Sequence, residues 1–247
     1  MDGLPAEGFF ENQLPFLKRE ADRMGIRLSD RALSLCRLYA QRLVEANRSV
    51  NLTAITEPEQ IALKHFLDSL SPLSHGLIAP DARLADVGCG AGLPGLPLKF
   101  ALPGLRLTLM DSLQKRIRFI DAFLFEAGLD NAVTAAVRAE DAGRTPEFRE
   151  RFDVVVSRAV AELRALCEYC LPLVRVGGRM VAYKGPNAPE EADKARHAVK
   201  ELGGDGVRII PSGLGRGLER YLVVVEKTSP TPSVYPRKQA KIAKAPL

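Results

Sequence analysis

The sequence predicts an α/β fold, with a seven-stranded, mainly parallel sheet, helices on both faces, and a helical N-terminal extension. From about residue 83, short apolar runs rich in β-branched residues alternate with stretches of helical period, which is typical of βαβ units. Before residue 80, apolar residues recur only at helical spacing. We therefore divide the 247 residues into an extension (1–80), a sheet domain (81–228) and a C-terminal tail (229–247).

The extension contains two amphipathic segments. In "ALSLCRLYAQRLV" the apolar residues lie one helical turn apart, and Ser29 stands where an N-cap is expected. In "TEPEQIALKHFLDSL" Thr56 and Glu59 have the spacing of a capping box. Both segments are predicted to be helices that pack on the sheet domain.

Seven runs are predicted to be strands. In chain order they are "RLADVG", "LRLTLMD", "AVTAAVR", "FDVVVSRAV", "GGRMVAYKG", "DGVRII" and "RYLVVVEK". The last two have no room for a long helix between them, so we expect the sheet to end in an antiparallel hairpin.

Composition excludes several classes of protein. Apolar residues make up 46% of the chain, but no run of 18 apolar residues indicates a membrane span. The N-terminus lacks the apolar core of a signal peptide, so the expected location is the cytoplasm. Cys167 and Cys170 lack a second pair of ligands, and the three histidines show no metal spacing, so we expect no metal site and no disulfide framework.

The excess positive charge lies at the C-terminus. Residues 227–247 contain five basic residues and no acidic residue, whereas the rest of the chain is formally neutral. This proline-containing tail is expected to bury little and to be flexible on its own. It could be an arm that contacts an anionic polymer, with Tyr235 as a stacking surface, a lid that folds back over a ligand crevice, or a solubilising terminus.

The stretch "DVGCGAGLPGLPL" (86–98) joins the first strand to a helix, which is where doubly wound folds bind their ligands. Its glycines also fit the dinucleotide pattern G-x-G-x-x-G. However, Pro94 and Pro97 remove backbone donors that a diphosphate needs at a helix N-terminus. A P-loop is excluded because no "GK[ST]" follows.

The remaining pattern includes the acid, as Asp86-x-Gly88-x-Gly90-x-Gly92. It is the first motif of Rossmann-like methyltransferases that use S-adenosylmethionine (SAM). SAM has no phosphate, and the glycines allow its close approach to the backbone. Asp86 could attract its ammonium group directly or through water.

Two later strand ends carry further acids. Asp111 ends the second strand, 19 residues beyond Gly92, near the spacing expected of an acid that binds a ribose. Ala139 and Glu140 follow the third strand and could frame an adenine.

The fourth and fifth strands end in Arg158 and Lys184, which are the candidate catalytic residues in the same crevice. Arg158 could contact either the cofactor or the base that accepts the methyl group. His65 and Asp68 share one helix face and either pack on the sheet domain or contact RNA.

The chain lacks two features that are typical of particular classes of nucleobase methyltransferase. It has "SRAVAE" in place of an Asn/Asp-Pro-Pro-Tyr/Phe loop, and no cysteine is placed to attack a pyrimidine. The lone pair of a purine ring nitrogen is a target that needs no general base, so positioning would supply most of the rate.

From about residue 28 onward the chain resembles the bacterial RsmG family, also called glucose-inhibited division protein B. The resemblance lies in "NLTAI", "KHFLDSL", "DVGCGAGLPGLPLKF", "LMDSLQKRIRFI", "VSRAVA", "AYKG" and "ERYLVVVEKT". It implies a methyltransferase for guanine N7 in the 530 loop of 16S rRNA. By position, the implied SAM contacts are Gly88, Leu93, Ala139, Glu140 and Arg158, with Gly90 in the loop and Asp111 and Ser112 beside the ribose.

The implied partner is 16S rRNA or the 30S subunit, and a monomer is expected. Candidate RNA contacts are His65, Arg237 and Lys238. The tail resembles the basic ending of the family, except that Gln239 and Ala240 stand where a glycine usually follows the "YPRK" segment. Two other functions stay open, namely an NAD-dependent oxidoreductase and a non-catalytic RNA-binding or ribosome assembly factor.

Overall fold

The computed structural model describes residues 8–215 and 217–247. The first seven residues of the predicted extension and Arg216 lie outside the described residues. The strands are β1 (Arg83–Val87), β2 (Arg106–Asp111), β3 (Ala132–Ala136), β4 (Phe152–Arg158), β5 (Val174–Lys184), β6 (Gly204–Pro211) and β7 (Tyr221–Lys227). All seven predicted strands are therefore confirmed.

The strand order is β3-β2-β1-β4-β5-β7-β6. β3, β2, β1, β4 and β5 are parallel, whereas β7 is antiparallel to both β5 and β6. The predicted terminal hairpin is thus confirmed. The carboxyl ends of β1, β2 and β4 meet at one edge of the sheet, where doubly wound folds bind their ligands.

Helices cover both faces of this sheet. The α-helices are α1 (Leu14–Arg23), α2 (Asp30–Val50), α3 (Pro58–Gln60), α4 (Asp68–Leu70), α5 (Gly95–Ala101), α6 (Gln114–Ala127), α7 (Ala139–Ala142), α8 (Leu163–Cys170), α9 (Ala188–Glu201) and α10 (Gln239–Lys244). A π-helical stretch (Ile61–Leu67) joins α3 to α4, and short 3₁₀ stretches occur at Glu11–Gln13, Ser71–His75 and Leu171–Leu173. None of the helices in the described part of the chain is both long and apolar enough to cross a membrane.

Two apolar cores flank the sheet. One is formed by the extension, α5 and α6 against alternate strand residues such as Leu84 and Val154. The other is formed by α7, α8 and α9 against residues such as Ala85 and Val155. Because side chains alternate across a strand, β1 and β4 contribute to both cores.

One of the two predicted helix caps is correct. The Ser29 hydroxyl accepts a hydrogen bond from the Ala32 amide (3.2 Å), as expected of an N-cap. The capping box is wrong, because the second helix begins at Pro58 and its N-cap is Glu57, which makes no side-chain cap. Proline is favoured at the first helical position, which moves the cap one residue beyond Thr56.

The tail buries few of its residues, as expected, but it is attached to the sheet domain. Thr231 and Ile242 are buried, and the guanidinium of Arg149 donates to the carbonyls of Thr231 (2.7 Å) and Tyr235 (2.9 Å). We call residues 228–247 the C-terminal segment. It packs beside α8 as part of the folded domain.

Candidate active site at the carboxyl edge of the sheet

The glycine loop begins directly after β1. Gly88 and Gly90 have φ angles of +69° and +58°, in the left-handed region that glycine adopts without steric cost. A Cβ at Gly90 would contact nothing within 4 Å, because that side of the loop faces a cavity. The loop therefore presents bare backbone to a ligand.

The backbone donors of this loop are already used. Satisfied within the protein are the amides of Gly88, Cys89, Gly90, Gly92, Leu93, Gly95 and Leu96. Gly90 donates to the carboxylate of Asp111 (3.0 Å), Gly95 donates to that of Asp86 (2.7 Å), and Pro94 has no N–H. Few donors remain for a diphosphate, which argues against a dinucleotide.

Asp86 lies beneath the loop. It is fully buried, and in the described part of the chain it is not among the residues that line the crevice. Its Oδ2 accepts the Gly95 amide, its Oδ1 has no hydrogen-bond partner among the described residues, and burial raises its pKa to about 7. The geometry thus assigns Asp86 to holding the loop in place and provides no direct contact with a ligand.

Two adjoining cavities form the crevice. The first, of about 530 Å³, is called the arginine cavity; among its lining residues are Thr53, His65, Asp68, Gly90, Leu93, Arg158, Tyr183, Lys184 and Arg220. The second, of about 440 Å³, is called the acidic cavity; among its lining residues are Asp111, Ser112, Arg138, Ala139, Glu140, Val160, Tyr169 and Gln239. Gly88, Arg116 and Ala159 line both cavities and mark their junction.

The acidic cavity brings together the residues predicted to bind adenosine. Asp111 is buried, and its Oδ1 accepts the Leu113 amide (2.9 Å). Arg116 donates to Asp111 Oδ2 (3.2 Å) at the junction of the cavities. Glu140 is also buried, so two buried carboxylates line this cavity.

The arginine cavity is built around an ion pair. The guanidinium of Arg158 donates to Asp68 Oδ2 (2.8 Å) and to the Lys64 carbonyl (3.0 Å). This pair joins the end of β4 to the helical extension. The sequence indicated both residues separately, but no spacing rule links positions 68 and 158.

His65 lies in the wall of the same cavity. Its Nε2 is 3.0 Å from the Thr53 hydroxyl, and its Nδ1 is buried without a partner among the described residues. Burial and the nearby charge of Arg158 lower its pKa to about 4. A buried neutral imidazole is a poor RNA contact, so the geometry favours a structural role for His65.

Lys184 lies at the end of β5, as predicted, but its ammonium group is already paired. Nζ donates to the Glu191 carboxylate (2.7 Å) and to the Ala161 carbonyl (2.7 Å). These bonds fasten the loop after β4 to α9. Lys184 therefore supports the wall of the cavity rather than offering a free cation.

Ala159 follows Arg158 and has a φ angle of +58°. This region costs a non-glycine residue of order 1 kcal/mol or more, and such strain is found mainly at functional sites. The turn places Ala159 in the wall of both cavities. No pattern in the sequence had indicated this strained position.

The two predicted RNA contacts in the tail differ. The Arg237 guanidinium is bound to the buried carboxylate of Glu168 at 2.6 Å, so it is not available to phosphate. Lys238 is exposed, as are Lys241 and Lys244 on α10.

The crevice fits SAM. It combines bare glycine backbone, buried carboxylates for hydroxyl and amino groups, and a loop with few free donors for phosphate. The groups that would hold the cofactor are the Gly88–Gly90 backbone, Asp111 and the Ala139–Glu140 turn. Fold and crevice together define a SAM-dependent methyltransferase of the Rossmann-like class.

Comparison with known proteins gives the family. A family model described as rRNA small subunit methyltransferase G matches residues 32–213. Proteins named ribosomal RNA small subunit methyltransferase G are 45% identical in Symbiobacterium thermophilum, over the whole of both chains, and 44% identical in Alkaliphilus oremlandii, over 94% of this chain and 97% of that protein. This chain belongs to the rRNA small subunit methyltransferase G family, so the resemblance to RsmG is confirmed.

Solved structures agree on the fold. A SAM-dependent O-methyltransferase from Thermotoga maritima superimposes with a TM-score of 0.52 at 13% identity, over 77% of this chain and 72% of that one. A predicted O-methyltransferase from Agrobacterium tumefaciens gives 0.51 at 22% identity, over 66% and 80%.

Proposed function

We propose that this protein transfers the methyl group of SAM to N7 of a guanine in the 530 loop of 16S rRNA. Membership of the family, over most of the chain, is the observation that carries the proposal. The oxidoreductase alternative is not favoured by the family or by a loop whose amides are already bonded. A non-catalytic role is not favoured because the cofactor crevice is complete.

The crevice suits a target that keeps its protons. SAM supplies an electrophilic methyl group on a positively charged sulfur. The lone pair of guanine N7 can attack it without prior removal of a proton. Asp68 is paired with Arg158 and His65 has a pKa of about 4, so neither is a suitable general base.

The arginine cavity is the place for the target base. It adjoins Gly88 at the cofactor end, and the guanidinium of Arg158 lies at its wall. In A-form RNA, N7 faces a deep groove that side chains do not read, so the base must come from a loop or leave its stack. Positioning by Arg158 and exclusion of water would then supply most of the rate.

The exposed lysines of the C-terminal segment support an RNA partner. Lys238, Lys241 and Lys244 lie on the segment that contributes Gln239 to the acidic cavity, so phosphates bound there would lie near the crevice. We further propose that the protein acts as a monomer in the cytoplasm, on rRNA or the 30S particle.

Methyl transfer from tritiated SAM tests the proposal. Free 16S rRNA and 30S subunits are compared as substrates, and the label is located by chain cleavage at 7-methylguanine. We expect label at one guanine of the 530 loop and strong loss of transfer in Arg158→Ala. Label at an exocyclic or pyrimidine position, or none on either substrate, would contradict the proposal.

A further inference from the structure

The C-terminal segment reaches the acidic cavity at one side chain that the cofactor motif does not include. Gln239, the first residue of α10, lines this cavity together with Ala139, Glu140 and Tyr169. Ala139 and Glu140 form the turn predicted to frame the adenine. Gln239 is therefore placed at the adenine end, more than a hundred residues away in sequence from the glycine loop.

Charged groups fasten the segment on both sides of Gln239. Before it, Glu168 on α8, which is completely buried, accepts hydrogen bonds from the Arg237 amide (2.7 Å) and from its guanidinium (2.6 Å). After it, the guanidinium of Arg164 donates to the carbonyls of Pro246 and Leu247 (2.5 Å each). Ile242 is buried between these two attachments, so α10 has a defined position.

The amide of glutamine matches the polar edge of adenine. Adenine presents an amino donor beside a ring-nitrogen acceptor, and a glutamine side chain can bind both at once. The carboxylates of Asp111 and Glu140 can only accept when ionised, so they cannot serve the ring nitrogens. A primary amide supplies the donor that the acidic side chains lack.

We propose that Gln239 binds the adenine of SAM through its side-chain amide, which makes the C-terminal segment part of the cofactor site. This inference rests on the proposed SAM-dependent function.

Calorimetry with two ligands tests this role. The ligands are S-adenosylhomocysteine and its analogue in which hydrogen replaces the 6-amino group. In Gln239→Ala we expect the first ligand to bind about 10-fold more weakly, since one good hydrogen bond is worth about a factor of 10. The same substitution should weaken binding of the analogue clearly less. In methyl transfer by this variant, the KM for SAM should rise while kcat at saturation stays unchanged.

Lys241→Ala is the matched control, because Lys241 is an exposed residue of the same helix. It should bind both ligands within twofold of the wild type. Unchanged binding by Gln239→Ala, or an equal loss for both ligands, would overturn the proposal for Gln239 alone. Absence of any binding by the wild-type protein would instead overturn the proposed function.

A further variant tests the attachment. Glu168→Gln removes the charge that holds Arg237, so we expect weaker ligand binding although Glu168 does not line the cavity. In the Glu168→Gln protein, a further Gln239→Ala substitution should then reduce ligand affinity by a smaller factor than it does in the wild type. Full additivity would show that the Glu168–Arg237 pair does not position Gln239.

Discussion

The N-terminal extension and the C-terminal segment each form part of the wall of one of the two cavities, but different interactions attach them to the sheet domain. The extension contributes Thr53, His65 and Asp68 to the arginine cavity, and it is held by an apolar core that it shares with the sheet. The C-terminal segment contributes Gln239 to the acidic cavity and is held mainly by ion pairs and bonds to backbone carbonyls. Apolar packing thus holds one part of the crevice wall in place, and ionic and hydrogen bonds hold the other.

The difference shows which part of the site tolerates change. An apolar attachment loses stability in proportion to the buried volume that is removed. A buried ion pair adds little net stability when intact, but removal of one partner leaves an uncompensated charge. Damage to the extension should therefore be graded, whereas damage to the segment should depend on which single group is removed.

The largest effect is expected at Tyr39, the centre of the apolar attachment. Its ring is fully buried against Phe66, Phe100 and Phe123. Tyr39→Ala should lower the free energy of unfolding by roughly 3 to 5 kcal/mol, as measured by urea denaturation. A loss below 1 kcal/mol would show that the extension does not depend on this cluster.

Two variants calibrate the Tyr39 result. Tyr39→Phe removes only the hydroxyl, which donates to the Ala91 carbonyl of the glycine loop (2.8 Å), and should cost about 1 kcal/mol. Phe125→Ala removes a ring that is 91% exposed and should change stability by less than about 0.5 kcal/mol.

Truncation of residues 232–247 tests the polar attachment. It removes Arg237, the ionic partner of Glu168, together with the buried side chain of Ile242, so we expect a loss of about 3 kcal/mol or more in the free energy of unfolding. The tail's expected flexibility would instead predict an unchanged denaturation midpoint. Glu168→Leu in the truncated protein should restore part of the loss, because the uncompensated charge is then absent.

The pH dependence of stability separates the two regions. His65 in the extension has its pKa lowered by burial from 6.5 to about 4, so the unfolded chain binds more protons between these values. The contribution of neutral His65 to the free energy of unfolding is complete above pH 6.5 and is lost as the pH falls to about 4. Urea titrations measure how far the free energy of unfolding falls between pH 6.5 and pH 4. In His65→Gln this fall should be smaller by up to roughly 3 kcal/mol.

Lys227 provides the counterpart at the C-terminal segment. Burial lowers its pKa from 10.5 to about 8, and its Nζ donates to Thr231 and to the Leu171 carbonyl. Stability should therefore rise with pH between about 8 and 10.5, and Lys227→Met should flatten that rise alone. An acid-side change in this variant, or an alkaline change in His65→Gln, would contradict the separation.

The smallest effect is expected from the three exposed lysines of the C-terminal segment. Replacement of Lys238, Lys241 and Lys244 by alanine should leave stability and cofactor affinity unchanged. The slope of log RNA affinity against log salt should fall by about 0.7 for each phosphate that a lysine no longer binds, or roughly 2 in total. Equal slopes for the two proteins would indicate a solubilising terminus.

Much of the site could be predicted because its residues follow strand ends. Gly88, Asp111 and Arg158 each stand directly after or at the end of a recognisable strand, Glu140 follows β3 in the first turn of α7, and parallel strands bring such ends together. The roles of Asp86 and Lys184 could not be predicted. Their partners, the Gly95 amide and Glu191, depend on how loops and helices approach the sheet.

Local patterns in the chain were enough to establish the seven strands, their mainly parallel order and the cofactor class, because periodicity and glycine spacing can be read over short distances in sequence. Folding in three dimensions was needed to establish that Asp68 meets Arg158, that Ala159 is strained, and that the basic tail is folded. The ion pairs join residues far apart in sequence, such as Arg237 and Glu168, and a charge pattern cannot show which opposite charge lies buried beside it. The strain at Ala159 depends on a φ angle that no pattern in the sequence indicates.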